Sequence, residues 1–306
     1  MNTDSALLLR QAAAAAAAAQ QHPAGALYVV ATPIGNLADL TLRAIHVLGL
    51  ADAIACEDTR HSAPLLRHLG IDGKALLAVH EHNEREAAQA VIERLAGGQR
   101  VALVSDAGTP AVSDPGAALV AAVQAAGHRA IPIPGASSAL AALSVAGDAL
   151  AQGFRFAGFL PARGGERSDA LQALAQGPDS CVLFEAPHRI EALAAALATA
   201  CPARRVTLAR ELTKQFETVV SLLARELPAW LAGDANRVRG EFALVLHAQP
   251  APADAGEATH DRLLGVLLAE LPLKQAVALA AQLSGAPRNA LYARALALKD
   301  AGSAGA

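Results

Sequence analysis

The segment Arg100–Gly127, RVALVSDAGTPAVSDPGAALVAAVQAAG, contains the pattern that decides the fold of this 306-residue chain. An apolar run of strand length leads into a glycine-rich acidic loop, and a run with helical spacing follows the loop. The loop holds two Ser-Asp-x-Gly turns, one directly after the predicted strand and one directly before the predicted helix. We therefore expect Asp106, in the first turn, to face a ligand, and Asp114, in the second, to start the helix as a cap or turn acceptor.

The same alternation of strands and helices extends over residues 25–150. The strand-like runs LYVVAT, AIACE, ALLAVH, VALVS and AIPIP are each followed by a loop and a helical run. This order predicts right-handed crossovers and a mostly parallel sheet. Because ligands bind beyond the carboxyl ends of parallel strands, the loops after these five strands should form one functional rim.

Residues 151–248 form a second predicted α/β domain, because strand-like and helical runs alternate there as well. The alanine-rich residues 1–24 are predicted to be a disordered or loosely helical tail. Residues 249–258 are rich in proline and alanine and are predicted to be a linker. Residues 259–306 are predicted to be a small helical domain, with the helix, glycine turn and helix of a helical hairpin. The predicted fold class is therefore α/β, with two such domains and a small C-terminal helical domain.

The bulk composition excludes some classes of function. Hydrophobic residues make up 53% and charged residues 17%, which is typical of a globular protein. The net charge of −3 argues against a wholly basic protein that coats nucleic acid, although it leaves a local basic patch open. The alanine run is too short to span a membrane. The three cysteines lack CxxC spacing, which is typical of reduced thiols in a cytoplasmic protein, and the HEH sequence at residues 80–82 is not the HExxH of a metal site.

Polar side chains concentrate at the predicted strand ends of both domains. In the first domain, two rim loops contain Glu57, Asp58, Arg60 and His61, and then His80, Asn83 and Glu84. In the second domain, the strand ends contain Glu185, His188, Arg189, Glu211 and Lys214. Polar strand ends from two domains predict a polar cleft between them.

Taken together, these segments resemble the tetrapyrrole methylase superfamily, and within it the ribosomal RNA small subunit methyltransferase I branch. The matching segments run in order from Thr32 to Leu246 and include TPIGNLADLTLRA, EDTRHSAPLL, HEHNE, LVSDAGTPAVSDPG, IPGASSALAAL, FEAPHRI, RELTKQFE and RGEFALVL. Where the wider superfamily has GxGxG and GDP, this chain has ATPIGN and SDAGTP, and these variants are typical of the ribosomal RNA branch.

The resemblance implies an S-adenosylmethionine-dependent enzyme that methylates the 2'-hydroxyl of a decoding-region cytidine in 16S ribosomal RNA of the small subunit. It also implies a cytoplasmic homodimer with the cofactor in the cleft between the two α/β domains. The implied cofactor contacts are Ile34, Gly35, Asp106, Gly108, Thr109, Ser137 and Ser138, and, on a looser alignment, Phe184, Ala209 and Gly240.

Methyl transfer from a sulfonium to a ribose hydroxyl requires alignment of donor and acceptor and a general base. No metal is required, because the sulfonium already makes the methyl group electrophilic. The candidates for the base are Glu57, Asp58, Glu84, Glu185 and Glu211, with Lys214 as an electrostatic partner or as a desolvated base. The candidates for RNA contacts are Arg60, His61, Asn83 and Arg189, with Arg163 and Arg167 as further cations. Residues 259–306 also carry a net charge of +2, from five Lys or Arg and three Asp or Glu.

Two other functions fit the same pattern. One is a methyltransferase of the same fold that acts on a corrinoid or porphyrin precursor, and the other is a non-catalytic module that binds a nucleotide or RNA. The polar EDTRHS, HEHNE and ELTK loops and the basic tail favour RNA over a porphyrin-like molecule. A nucleotide triphosphatase is disfavoured, because no Gly-Lys-Ser/Thr follows the first glycine loop.

Overall fold

The computed structural model describes residues 3–80, 83–250 and 255–303. Glu81 and His82 of the HEH sequence therefore lie outside the described residues, as do parts of the predicted tail, linker and C-terminus. The chain divides into two compact units, Met1–Ala248 and Gln249–Ala306. Both α/β domains belong to the first unit, and the helical domain is the second.

The first domain has the predicted parallel sheet, in the strand order β3-β2-β4-β1-β5. Its strands are β1 (Ala26–Val30), β2 (Ala53–Cys56), β3 (Ala75–Ala78), β4 (Val101–Val104) and β5 (Arg129–Ile133). The connecting helices are α2 (Leu42–Leu50), α3 (Thr59–His68), α4 (Glu84–Ala96) and α5 (Ala117–Ala125). Strands β1 and β4 are buried on both faces, because alternate residues enter two separate cores: Tyr28 packs with α2 and α3, and Leu27 packs with α4 and α5.

The alanine-rich start of the chain is a packed helix, α1 (Thr3–Ala17), and not a loose tail. Ala13 and Ala17 are buried, and Ala13 belongs to the core that contains Leu48 of α2. Alanine has the best helix propensity, and its small side chain allows two helices to approach closely. The prediction for residues 1–24 was therefore wrong for this helix, because composition alone does not show that a neighbouring helix covers it.

The second domain has a mixed sheet in the order β6-β7-β10-β8-β9. Its strands are β6 (Phe154–Phe159), β7 (Ser180–Glu185), β8 (Arg205–Arg210), β9 (Thr218–Leu223) and β10 (Phe242–Leu246), and its helices are α7 (Gly165–Gln176), α8 (Ile190–Ala200) and α9 (Leu227–Ala232). Strand β10 is antiparallel to both β7 and β8. The carboxyl ends of β7 and β8 and the amino end of β10 therefore lie at the same edge.

Helix α6 (Ser138–Ala146) belongs to the second domain by its packing. Its buried residues Ala139, Ala142 and Ala146 form a core with Val182 and Val245 of the second sheet. The predicted domain boundary at residue 150 therefore falls after this helix, whereas the packing changes before it. The physical reason is that α6 follows the last strand of the first sheet, so it does not return to that sheet as a crossover helix.

The second unit consists of three helices: α10 (Ala255–Glu270), α11 (Leu273–Ser284) and α12 (Arg288–Ser303). Leu264, Val277 and Leu291 form its core, one from each helix. Helix α10 already includes residues 255–258, so the predicted linker over 249–258 was too long. Over the described part of the chain, no helix is both long enough and apolar enough to cross a membrane.

Candidate functional site

Two cavities lie at the edge where the rim loops meet. The first, which we call the interdomain cavity, has a volume of about 340 Å³ and lies between the two α/β domains. The first domain lines it with Ile34, Ala107 and Asp114, and the second domain lines it with Phe159 and Phe184, among others. A cleft between the domains is therefore present, as predicted, but most of the residues that line it are apolar, whereas a polar cleft was predicted.

The second cavity, which we call the rim cavity, has a volume of about 450 Å³ and lies within the first domain. Its lining includes Gly35, His61 and Asp106. The loop after β1 and the loop after β4 each contribute to both cavities, because Ile34 and Ala107 line one while their neighbours Gly35 and Asp106 line the other. The two cavities therefore share the loops after β1 and β4.

The loops after β1 and β4 hold each other in place. Thr32 and Gly108 exchange two backbone hydrogen bonds, of 2.8 and 3.1 Å, and the Thr32 hydroxyl donates to the Ser105 carbonyl at 3.1 Å. The Thr109 hydroxyl donates to the Ala136 carbonyl at 3.0 Å, which attaches the loop after β5. Gly108 and Thr109 thus fix the walls of the site, and their predicted contact with the cofactor stays a prediction.

The two acidic turns are held differently. Asp106 lines the rim cavity at the predicted edge, and the protein holds both its carboxylate oxygens: one accepts from the backbone N–H of Asp58 at 3.2 Å, and the other lies 2.7 Å from Nδ1 of His61. Asp114 lines the interdomain cavity. The capping residue of helix α5 is Gly116 and not Asp114, whereas the hydrogen bond of Asp114 with Ser105 fits the predicted alternative of a turn acceptor.

Glu84 occupies the start of α5 in place of Asp114. Its carboxylate accepts a short hydrogen bond from the backbone N–H of Gly116. An acidic side chain at this end interacts favourably with the helix dipole. This contact comes from a residue 32 positions earlier in the chain, so the turn sequence itself does not reveal it. Glu84 was predicted to be catalytic. Its hydrogen bond with Gly116 gives it a structural role at the start of α5.

The carboxylates of Glu57, Asp106 and Asp114 lie close enough to influence one another's pKa. Burial raises the pKa of Asp114, and the charge of Asp106 raises it further, against a hydrogen bond with Ser105 that lowers it. Burial likewise raises the pKa of Glu57, and the charges of Asp106 and Asp114 add to that effect. The shared negative charge favours a cationic group in this part of the site.

An aromatic wall faces this acidic group across the interdomain cavity. The rings of Phe156 and Phe159 lie 5.2 and 5.7 Å from the ring of Phe184, both edge to face. Phe159 is 55% exposed although it lines the cavity. Phe156 and Phe159 were not among the predicted site residues, although three phenylalanines in the strand-like sequence FRFAGF are a signal for an aromatic surface. A bulge between Phe156 and Gly158 turns both rings to the face of Phe184.

Glu185 is a structural anion and not a free base. Its side chain is fully buried, and its two oxygens form ion pairs with Arg167 at 2.8 Å and with Arg189 at 2.9 Å. Arg189 also donates to the Leu160 carbonyl at 2.7 Å. Arginines thus occupy both oxygens of Glu185, and this geometry disfavours it as the general base. Arg189 is likewise committed to the protein interior, contrary to its predicted role as an RNA contact.

Lys214 connects the two domains at the opening of the site. Its ammonium lies 2.9 Å from the carboxylate of Glu211 and 2.8 Å from that of Glu241, and its aliphatic chain packs on Gly35 of the first domain. Burial lowers the pKa of Lys214, but the two carboxylates raise it by more, so the net pKa is raised. The raised pKa favours the protonated form of Lys214, and therefore the role of an electrostatic partner over that of a desolvated base.

Glu211 and Gly240 form one tight turn beside Lys214. The Glu211 carboxylate also accepts from the backbone N–H of Glu241 at 2.9 Å. Although burial opposes it, Lys214 and this N–H lower the pKa of Glu211, which makes it a weaker base. A side chain at Gly240, with φ of +88°, would begin 2.6 Å from Cδ of Glu211. Glycine at this position is thus explained by the proximity of Glu211.

Other predicted residues keep the rim loops in shape. Asn83 accepts from the backbone N–H of His80 at 2.8 Å and donates to the Ala78 carbonyl at 3.0 Å. Asp58 caps α3 and pairs with Arg60 at 2.6 Å. Hydrogen bonds from Arg60 lower the pKa of Asp58 to about 2, which is too low for an effective base near neutral pH.

Six of the ten predicted cofactor residues line one of the two cavities, and Gly108, Thr109, Ser137 and Gly240 line neither. Ile34, Ser138, Phe184 and Ala209 line the interdomain cavity. Gly35 and Asp106 line the rim cavity. Ser137 precedes α6 and makes no side-chain capping hydrogen bond there.

Comparison with known proteins gives consistent results over most of the chain. The profile of the family described as "Tetrapyrrole (Corrin/Porphyrin) Methylases" matches residues 26–228, and the profile described as "RsmI C-terminal HTH domain" matches residues 254–299. The "Ribosomal RNA small subunit methyltransferase I" of Neisseria meningitidis serogroup A is 49% identical over 277 residues, covering 90% of this chain and 94% of that protein. The Pseudomonas aeruginosa protein of the same name is 49% identical over 276 residues, covering 89% and 97%.

Solved structures share the fold at lower identity. The methyltransferase CobJ matches with a TM-score of 0.56 and 21% identity, covering 73% of this chain and 94% of that one. The cobalt precorrin-4 methyltransferase CbiF matches with a TM-score of 0.55 and 20% identity, covering 74% and 98%. At this identity the likeness establishes the fold and leaves the substrate open.

Proposed function

This chain belongs to the tetrapyrrole (corrin/porphyrin) methylase family, in its ribosomal RNA small subunit methyltransferase I branch, and from this premise we propose that it methylates the 2'-hydroxyl of a decoding-region cytidine in 16S ribosomal RNA. The enzyme is an S-adenosylmethionine-dependent methyltransferase. The observation that carries the proposal is the interdomain cavity, which is lined by the aromatic rings of Phe159 and Phe184 from the second domain and by the half-buried Asp114 from the first.

The residues of the interdomain cavity fit the chemistry of S-adenosylmethionine. The exposed face of Phe159 suits stacking of the adenine ring, and Phe184 holds Phe159 in place. The carboxyl group of Asp114, which lines the cavity from the first domain, suits the sulfonium or the amino group. The volume of about 340 Å³ lies in the range of sites for small molecules. When bound, the cofactor supplies an electrophilic methyl group, and the residues of this chain must orient it toward the acceptor.

The acceptor nucleotide would occupy the rim cavity. This cavity shares the loops after β1 and β4 with the interdomain cavity, so a nucleotide there would lie next to the cofactor. The exposed guanidinium of Arg60, beside the opening, is suited to a phosphate. Proximity of donor and acceptor on two rigid loops contributes to the rate by reducing the entropy lost on reaching the transition state.

The decisive experiment is methylation with labelled S-adenosylmethionine. Purified 30S subunits, protein-free 16S RNA and a corrinoid precursor are offered in parallel, and the labelled nucleotide is mapped. The proposal expects label on the ribose of one cytidine in 16S RNA and none on the precursor. Label on a base, on a different RNA or only on the corrinoid would refute it, and binding of 16S RNA without any transfer would favour a non-catalytic module.

The helical unit is proposed to help to dock the RNA. Residues 259–306 carry a net charge of +2 in an otherwise acidic chain, and cations that contact phosphates make binding dependent on salt. A chain that ends at Ala248 keeps the whole first unit. It should keep its affinity for S-adenosylhomocysteine but bind 30S subunits more weakly, with a salt slope shallower by roughly 0.7–0.9 per lost phosphate contact. An unchanged slope would exclude this role.

The enzyme is further proposed to act as a homodimer in the cytoplasm. Besides the family resemblance, three apolar side chains in or after α6, Leu140, Val145 and Leu150, are at least half exposed in the single chain. Exposed apolar side chains close together in sequence are typical of a surface that a partner covers. Light scattering of the purified protein should give twice the monomer mass, and substitution of Leu140 and Leu150 by Asp should give the monomer.

A further inference from the structure

His61 and Asp106 form a hydrogen-bonded pair that opens into the rim cavity. Nδ1 of His61 lies 2.7 Å from Oδ2 of Asp106, and Oδ1 of Asp106 accepts from the backbone N–H of Asp58 at 3.2 Å. The carboxylate is therefore fixed from both sides, and it fixes the imidazole in turn. Within the described part of the chain, Nε2 of His61 has no hydrogen-bond partner, and both residues line the cavity.

The other candidate bases are less suited to this position. Glu84 accepts from Gly116, Glu185 is held by two arginines, and the Glu211 carboxylate is held by Lys214 and a backbone N–H. None of these three side chains lines the rim cavity, and neither does Glu57. His61 is thus the described titratable group that lines the cavity, has a free ring nitrogen and is oriented by a carboxylate.

We propose that Nε2 of His61, oriented by Asp106, accepts the proton from the ribose hydroxyl during methyl transfer. This inference rests on the proposed function, because it names the base for 2'-O-methylation. An imidazole held by a carboxylate at Nδ1 has its proton on that nitrogen, so Nε2 carries the lone pair that a general base needs.

The step balances without any further reactant. The ribose O–H bond breaks and its proton moves to Nε2, while the oxygen forms a bond to the methyl carbon. The bond from that carbon to sulfur breaks, and its electron pair stays on sulfur, which becomes an uncharged thioether. His61 leaves the step as an imidazolium beside the Asp106 carboxylate, and it releases the proton to water before the next turnover.

The charges around His61 set the direction of the pH dependence. The hydrogen bond that His61 donates to Asp106 and the negative charge of Asp106 raise the pKa of His61. Asp58, 4.0 Å away, also raises this pKa, and Arg60 lowers it. Glu57 adds negative charge from the end of β2, and His68 lines the same cavity from α3. A general base must be uncharged, so turnover should rise with pH through the pKa of His61.

The test measures single-turnover methylation of 30S subunits between pH 5.5 and 9. His61→Gln should lower the rate by roughly 100- to 10,000-fold, the usual contribution of a general base, with unchanged affinity for S-adenosylhomocysteine. Asp106→Asn should shift the acidic limb of the pH profile to lower pH, because the imidazolium loses its counterion. The control is His128→Gln, which changes a histidine that contacts Gly25 before β1, at the opposite edge of the sheet, and should match the wild type.

Three outcomes would overturn the assignment. A normal rate for His61→Gln, with Glu57→Gln inactive, would transfer the role to Glu57. Activity that falls as pH rises through the pKa of His61, with a raised KM and an unchanged kcat for His61→Gln, would make His61 a cation that holds phosphate. Loss of S-adenosylhomocysteine binding in both variants would place the pair in the cofactor site. If the wild type itself fails to label 16S RNA, the proposed function fails instead.

Discussion

The buried ion pairs of Glu185 should contribute strongly to the stability of the second domain. The Glu185 side chain is fully buried, and the side chains of Arg167 and Arg189 are largely buried, with exposed fractions of 18% and 21%. Glu185→Gln keeps the size of the side chain and removes its charge, so two largely buried guanidinium groups lose their counterion. Breaking a buried ion pair by removing one partner costs about 3–5 kcal/mol. We expect a loss near the lower figure, since the amide oxygen still accepts one hydrogen bond.

The assay is urea unfolding followed by circular dichroism, with a thermal melt in parallel. A loss of about 3 kcal/mol corresponds to a melting temperature lower by roughly 6–12 °C for a unit of this size. The control is Glu191→Gln, which changes an exposed glutamate at the start of α8 and should stay within about 0.5 kcal/mol of the wild type.

The outcome for Glu185→Gln separates a structural from a catalytic carboxylate. A loss of less than about 1 kcal/mol would refute the reasoning, because the ion pairs would then contribute little to stability. Normal stability together with abolished methyl transfer would restore Glu185 as a candidate base. The same logic applies to Arg189→Ala, which should lower stability and leave the salt slope of RNA binding unchanged.

Three further changes test the walls of the site. Phe159→Ala should weaken binding of S-adenosylhomocysteine by about 1–2 kcal/mol, roughly 5- to 30-fold, in a calorimetric titration, whereas Phe216→Ala, another exposed phenylalanine, should not. Asp114→Asn should raise the urea midpoint at pH 8. The pKa of Asp114 is raised in the folded state, so its ionisation lowers the stability of the folded protein as pH rises, and the amide removes this cost. The gain in stability should vanish below pH 3.8, the ordinary pKa of an aspartate, where Asp114 is protonated in both states. Gly35→Ala should cost about 1–3 kcal/mol in a thermal melt, because its new Cβ overlaps Cγ of Lys214, and Lys214→Ala in the same chain should recover part of that loss.

The sequence was sufficient to predict the elements and the edge at which the site lies. Strand-length apolar runs and helical spacing are local signals, and the parallel order follows from their alternation. The structure accordingly places Ile34, Gly35 and Asp106 at the predicted edge of the first sheet. It places Phe184 and Ala209 in the lining of the cavity between the domains. The family match and the observed sheets confirm the predicted fold class.

The roles of individual acids could not be predicted, because they depend on contacts distant in sequence. The two Ser-Asp-x-Gly turns look alike locally, yet Asp106 meets His61 from 45 positions earlier, and Glu84 takes the helix start expected for Asp114. Glu185 appeared to be a free acid at a strand end, and only the folded chain brings Arg167 beside it. The sequence of a turn shows which polar groups are present, but it does not show which distant residues contact those groups in the folded chain.

Backbone strain points to the same loops as the side-chain chemistry. Among the described residues other than glycine, positive φ values occur at Ala111, Glu211 and Thr213, with φ of 64°, 53° and 67°. Ala111 lies in the acidic loop, and the other two lie in the turn that carries Lys214 to Gly35. Each such residue costs of order 1–3 kcal/mol and persists only where its surroundings hold it in place. At the turn of Glu211 and Thr213, the hydrogen bond from the backbone N–H of Glu211 to the Glu241 carbonyl and the contact of Lys214 with Gly35 do so. This strained and anchored turn joins the two α/β domains beside both cavities, and a fixed relation between the cavities is what the proposed methyl transfer would need.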